Sequence, residues 1–168
     1  MDRHRITREI GIDAGHRVPD HGSKCRNLHG HRYRVIAHAS GPLAAEGEQS
    51  GMVVDFGFLK TGMMDLIDAP CDHGMILSVN DPLLPIVSGF IEPDMDEVRE
   101  RVQRDGFAED RGECGKLYVV PFTPTAENLA RHWFQRLAAR VYALSGGRAQ
   151  LDAVEVFETP NCSAVFSR

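Results

Sequence analysis

The stretch Lys24-Cys25-Arg26-Asn27-Leu28-His29-Gly30-His31 marks a change of texture in the chain. Before it, residues 17–28 hold Pro19, Gly22 and Asn27 and read as a polar loop. After it, Tyr33, Val35, Ala37 and Ala39 fall on one parity of a run from His29 to Ser40, which Gly41-Pro42 closes. Apolar residues at every second position mark a half-buried strand, because successive side chains leave opposite faces. Residues 5–14 read the same way, with Ile6, Ile10, Ile12 and Ala14 on even positions and Arg5, Thr7, Glu9 and Asp13 on odd ones. If these two strands pair antiparallel, His16 at the end of the first lies beside His29 at the start of the second.

His29 and His31 then leave the same face, roughly 6.6 Å apart along the strand. Two imidazoles so placed either share a metal ion or are ordinary surface histidines. His16 makes a third, and three histidines with an open fourth position are the donor set of a catalytic zinc site.

Working outward, Phe56, Leu59, Met63, Leu66 and Ile67 recur at helical spacing and predict a helix over 57–67. A loop is expected through Pro70, Cys71, Asp72 and His73, and a turn at Asn80-Asp81-Pro82. Residues 93–105 predict a short charged helix ended by Gly106, and 116–122 a strand. Thr125 is a good N-cap for a helix whose stripe is Leu129, Trp133, Leu137, Val141 and Leu144. Gln150–Thr159 and Cys162–Ser167 read as a hairpin around Pro160-Asn161. Strand pairs alternating with helices predict the α+β class, an antiparallel sheet with helices on one face, in a single domain spanning 1–168.

Composition narrows the function. The 168 residues are 42% hydrophobic and 26% charged, with a net charge of −5. A chain of this size buries roughly 70% of its unfolded surface, enough for a core without staples. The acidic balance argues against nucleic acid as partner. No apolar run nears the roughly 20 residues that span a bilayer, so no membrane partner is expected. The first ten residues, MDRHRITREI, are too polar for a secretory signal. Four cysteines without a CxxC pair read as reduced thiols, and the expected compartment is the cytoplasm.

Other residues carry chemistry on a looser footing. Cys25 stands between Lys24 and Arg26, the setting of a reactive thiol or of a plain surface one. In Asp72-His73 a carboxylate adjoins an imidazole that it could orient; a polar loop would contain the same pair. Glu158 closes an apolar strand, where a carboxylate can accept two hydrogen bonds from an amidine-like ring edge. Glu127 suits a helix N-terminus through the helix dipole alone.

Taken in order, Ala14-Gly15-His16-Arg17, Cys25-x3-His29-Gly30-His31, Val54-Asp55-Phe56-x2-Leu59-Lys60, Asp72-His73, Pro124-Thr125-Ala126-Glu127-Asn128 and Glu158-Thr159 resemble the 6-pyruvoyl-tetrahydropterin synthase / 6-carboxy-tetrahydropterin synthase family. The resemblance covers about 5–82 and 117–167. It implies a tunnelling fold (T-fold), in which sheets from several subunits join into a barrel, here a homohexamer of two stacked trimers. It implies Zn2+ on His16, His29 and His31, and Cys25 as the catalytic thiol with Asp72 and His73 as its partners across a subunit interface. It makes Glu158 the anchor of the pterin ring, with Thr125 and Glu127 near that pocket. Lys24 and Arg26 are candidates to attract a triphosphate.

Within the family the pyruvoyl type typically has five residues between the cysteine and the His-Gly-His motif, and the carboxy type three. Arg26, Asn27 and Leu28 make three here. The resemblance therefore implies 7,8-dihydroneopterin triphosphate as substrate, in queuosine (7-deazapurine) biosynthesis. The products would be 6-carboxy-5,6,7,8-tetrahydropterin, acetaldehyde and triphosphate. A pyruvoyl synthase and a non-catalytic pterin- or zinc-binding relative are the alternatives. Two departures stand out: an insertion at about 83–116, read as a surface excursion or else a lid or oligomer contact, and Gly74 after His73, where many relatives carry a larger residue.

Overall fold

β1 (His4–His16) and β2 (His29–Gly41) pair antiparallel from His4 opposite Gly41 to His16 opposite His29. The structure, a computed structural model, describes residues 2–168. Ile10, Ile12 and Ala14 of β1 and Tyr33, Val35, Ala37 and Ala39 of β2 are buried, as the period of two requires. They pack beneath a long helix, α5 (Ala126–Leu144), through Leu129, Trp133, Leu137 and Val141. The helix starts where Thr125 accepts a hydrogen bond from the Asn128 amide, leaving one fewer unpaired donor in its first turn. β6 (Gln150–Thr159) pairs antiparallel with β2, and β7 (Cys162–Ser167) with β6. Facing away from α5, the sheet carries the pairs Arg34–Glu9, Arg32–Asp13 and His38–Glu155.

With β3 (Gly74–Ser78), β4 (Ala108–Gly112) and β5 (Gly115–Val120), the described residues form a seven-stranded sheet in the order β4-β5-β3-β1-β2-β6-β7, which is mixed where an antiparallel sheet was expected. β3 runs parallel to β1 at Ala14–His16, and β5 runs parallel to β3. The run Gly74-Met75-Ile76-Leu77-Ser78 shows no alternation because Ile76, Leu77 and Ser78 are buried together, as in parallel strands covered on both faces. Its lack of a period hid the strand. Gly74 is small because β5 passes close: a Cβ there would come within 2.9 Å of the Lys116 Cβ.

α1 (Phe56–Met63) continues through a wider turn at Met64–Asp68 into α2 (Ala69–Cys71). Cys71 is thus a buried helical residue, not part of an open loop. Residues 83–116 hold α3 (Leu84–Ser88), α4 (Met95–Asp105) and β4 (Ala108–Gly112). α4 is capped by Asp94, which accepts from the Asp96 and Glu97 amides, and ends at Gly106 in the left-handed conformation, φ 81°. Leu84, Val98, Val102 and Ala108 pack with Leu77, Leu117 and Val119 into a second small core. This charged segment is folded onto the sheet rather than looped out. The charged sequence of β4 gave no strand signal; antiparallel pairing with β5 and the Arg101–Asp110 ion pair hold it as an edge.

His132 of α5 is buried against Phe107, Tyr118 and Phe122 in the first core. Arg136 donates to the Tyr118 hydroxyl (2.7 Å), so that hydroxyl donates its own proton to His132 Nε2 (2.7 Å). Burial first, and then the nearby Arg136 charge, lowers the His132 pKa from 6.5 to about 4. Between these values the unfolded chain binds a proton that the folded chain refuses. Stability therefore falls as the pH drops from 6.5 toward 4, by up to about 1.4 kcal/mol per pH unit from this residue. His132→Gln keeps an acceptor for Tyr118 and should remove that part of the slope in denaturant titrations at several pH values. An unchanged slope would contradict the assignment.

Candidate metal centre

The register that buries the core also gathers the histidines. His16 lies opposite His29, and His31 opposite Ala14, at one end of the β1–β2 ladder. One ligand-capable atom from each histidine lies within 4.8 Å of the others. The residues between them are glycines: Gly30 lies opposite Gly15, and a Cβ on Gly15 would collide with the Met75 side chain.

Backbone carbonyls orient two of the rings. His16 Nδ1 donates to the Pro124 carbonyl at 2.7 Å, and His29 Nδ1 donates to the Asn27 carbonyl at 2.8 Å. With Nδ1 protonated, each neutral ring keeps a bare lone pair on Nε2. Those two Nε2 atoms face each other at 3.1 Å. Two lone pairs so close repel unless a proton or a cation lies between them. A shared proton is disfavoured, since burial lowers the His16 pKa to about 4 and also lowers that of His31. The donor set therefore fits a metal ion, whose ligands must be deprotonated. Tyr33, read in the sequence only as an inward strand residue, floors the site edge-on to His16 and His31, with its buried hydroxyl unpaired among the described residues. Its signal was its parity, two residues beyond His31.

Glu158 reaches the same place from the end of β6, its carboxylate 3.9 Å from His16 Nε2 and about a quarter exposed, 26%. Thr125 adjoins Pro124, whose carbonyl holds His16, so the α5 N-terminus borders the cluster. Glu127 is exposed in the first turn of that helix. The structure thus brings His16, His29, His31 and Glu158 together, with Thr125 near by.

Asp72 and His73 form a separate unit beside β3. The Asp72 carboxylate accepts from His73 Nδ1 at 2.7 Å and from the Asp13 amide at 2.8 Å, while the His73 amide donates to the Asp13 carbonyl. Burial alone would raise the Asp72 pKa; the Asp13 amide and the His73 imidazole outweigh it and hold the carboxyl below its usual range. His73 sits at positive φ, 57°, with 76% of its side chain exposed. Asp13, a second residue missed in the sequence, is the anchor of both; nothing in its odd-parity position signalled that. Lys24, Cys25 and Arg26 form a single 3-10 turn, with Cys25 half-buried and its neighbours exposed. The Cys25 carbonyl accepts from the Val18 amide, and the buried pair Arg17–Asp81 (3.4 Å) ties the start of this loop to the rest of the fold. Cys25 is not part of the Asp72–His73 network.

A family model described as 6-pyruvoyl tetrahydropterin synthase matches residues 5–168. A Rickettsia felis protein named 6-carboxy-5,6,7,8-tetrahydropterin synthase is 33% identical over 159 residues, covering 94% of this chain and 96% of that protein. A Haemophilus influenzae protein of the same name is 30% identical over 156 residues, covering 93% of each. Among solved structures, an uncharacterized Wolinella succinogenes protein superposes with a TM-score of 0.72 at 25% identity, over 100% of this chain and 99% of that one. The 6-pyruvoyl tetrahydropterin synthase of Caenorhabditis elegans gives 0.61 at 20% identity, over 100% and 97%, and supports the fold alone.

The facing lone pairs predict a metal-dependent gain in stability. Divalent metal added to chelator-treated protein should raise Tm, and Co2+ should give the visible absorption of a low-coordinate nitrogen site. His29→Ala should cut metal affinity by at least 100-fold and abolish the Tm gain while the chain stays folded. A metal response that survives this change would refute the centre.

Proposed function

The chain belongs to the 6-pyruvoyl tetrahydropterin synthase family of enzymes, and on that premise we propose that it is a zinc-dependent 6-carboxy-5,6,7,8-tetrahydropterin synthase. In this reading it converts 7,8-dihydroneopterin triphosphate and one water to 6-carboxy-5,6,7,8-tetrahydropterin, acetaldehyde and triphosphate, for queuosine biosynthesis in the cytoplasm. The observation that carries the reading is the three-histidine cluster beside Glu158, in a chain whose curated relatives bear that enzyme's name. The three residues between Cys25 and His29 support the carboxy type over the pyruvoyl type.

Zinc suits the donor set. Imidazole ligands of a tetrahedral zinc, with bonds of about 2.0–2.1 Å, lie about 3.3 Å apart, close to the 3.1 Å between His16 and His29. When bound, zinc supplies Lewis-acid polarisation of the substrate's side-chain hydroxyls. The chain's own residues do the rest. Glu158 accepts two N–H bonds from the amidine-like edge of the pterin, and Thr125 and Glu127 border that pocket. Lys24 and Arg26 draw in the triphosphate by charge. Cys25 takes a proton from the side-chain carbon next to the ring. His73, held in one orientation by Asp72, carries protons to and from the departing side chain.

Cys25 meets His73 between subunits. β1 has β2 on one side along its whole length, whereas β3 covers only Ala14–His16 on the other, so residues 4–13 are, among the described residues, an open edge. β7 is an outer edge of the same sheet. Joining β7 of one copy antiparallel to β1 of the next satisfies both edges. It also sets the Cys162 end of β7, close in sequence to Glu158, beside the neighbour's Asp13 and its Asp72–His73 pair. Repetition around an axis closes a barrel, and two stacked trimers make a hexamer.

Zinc-loaded protein incubated with 7,8-dihydroneopterin triphosphate should release acetaldehyde and a pterin with the mass of the 6-carboxy product. Cys25→Ala should retain its zinc yet lose at least 100-fold in turnover, the scale of a missing acid–base group. A 6-pyruvoyl product without acetaldehyde, or normal turnover in Cys25→Ala, would overturn the reading.

A further inference from the structure

The segment 83–116 places an apolar ridge beside His73 that the proposed reaction leaves unused. Phe90 and Ile86 stand on and just beyond α3 and are 66% and 64% exposed. Phe90 also lines a cavity of about 270 Å³ together with His73, Met75, Ile91 and Cys114. The ridge is fixed in place. Val87 and Ile91 pack on the second core. The β4–β5 turn closes over Ile91 so tightly that a Cβ on Gly112 would lie 2.8 Å from the Ile91 carbonyl oxygen. Lys116 lines the cavity as well, and two carboxylates flank it in sequence, Glu92 after Ile91 and Glu113 before Cys114.

The loop that carries Cys25 has the complementary character. Leu28 is 47% exposed, an apolar knob on an otherwise polar loop. Lys24 and Arg26 beside it are exposed cations. Leu28 lies three residues from Cys25, at most roughly 10 Å of extended chain. If Cys25 of one copy meets His73 of the next, Leu28 comes within reach of the neighbour's Phe90, which shares a cavity with that His73.

We propose that the Ile86–Phe90 ridge of one copy docks on the Leu28 loop of a second copy, so that the segment 83–116 forms a wall of the shared site. The inference rests on the intersubunit pairing of Cys25 with His73 and adds to it the surface that holds the two together. Apolar contact between Leu28 and Phe90 supplies the attachment, and Glu92 and Glu113 facing Lys24 and Arg26 set the orientation. The exposed apolar ridge is thereby covered in the assembly. The extra segment then stabilises the subunit pair and narrows the approach to His73.

A chemical cross-link tests the contact. In a background with Cys25, Cys114 and Cys162 changed to Ser, one tagged copy carries Leu28→Cys and an untagged copy carries Phe90→Cys. After the two are assembled together, a short bis-maleimide should join tagged to untagged chains, and neither variant alone should cross-link. In the otherwise native protein, Phe90→Asp should raise the concentration at half-dissociation at least tenfold with zinc content unchanged, and Phe90→Leu should restore assembly. Mixed oligomers verified by light scattering that give no cross-link overturn the docking and leave the shared site standing. A monomer that turns over at the full rate overturns the shared site itself.

Discussion

His16 faces His29 because β1 and β2 keep one antiparallel register from His4–Gly41 to the end of the ladder. Side chains alternate along a strand, so a slip of one residue would send every inward group to the other face. Ile10, Ile12, Tyr33 and Val35 forbid that slip, since they would leave the core beneath α5 for the open face. The three histidines share the parity of those residues. Burial of the core and placement of the three histidines are thus one constraint, and each apolar contact along the ladder also holds the geometry at its end.

The same end of the ladder carries two side-chain clusters on either side of β1. Toward α5, His16 is buried and neutral, held by the Pro124 carbonyl at the helix entrance. Along the sheet, β3 joins β1 in parallel beside Asp13, and the Asp13 backbone fixes both Asp72 and His73. The three histidines and the Asp72–His73 pair are anchored to one strand only a few residues apart, yet they belong to separate networks. In the assembly proposed above, joining β1 of one copy to β7 of the next would bring the histidine cluster of one to the Asp72–His73 pair of the other. The segment 83–116 places Phe90 and Ile91 beside His73.

Strong periodicity and punctuation made most of this legible. The alternation of β1 and β2 placed His16 beside His29, and Thr125 with the Leu129–Trp133–Leu137 stripe marked α5. The α+β class followed from those elements and agrees with the solved relatives. The strands missed were those without a period: β3, buried on both faces, and β4, a charged edge whose partner lies across a turn. Tyr33 was read as core, which it is, while its role as floor of the centre depends on its ring meeting two histidines in space. Asp13 was invisible because it acts through backbone groups, which any residue type could supply.

The most direct test of the account is anomalous diffraction at the zinc edge from crystals of the oligomer. It predicts one peak per chain about 2.0–2.1 Å from a nitrogen of each of His16, His29 and His31, with His73 of an adjacent subunit closing on Cys25 beside it. A peak on other residues, or Cys25 and His73 far apart at every subunit contact, would contradict it.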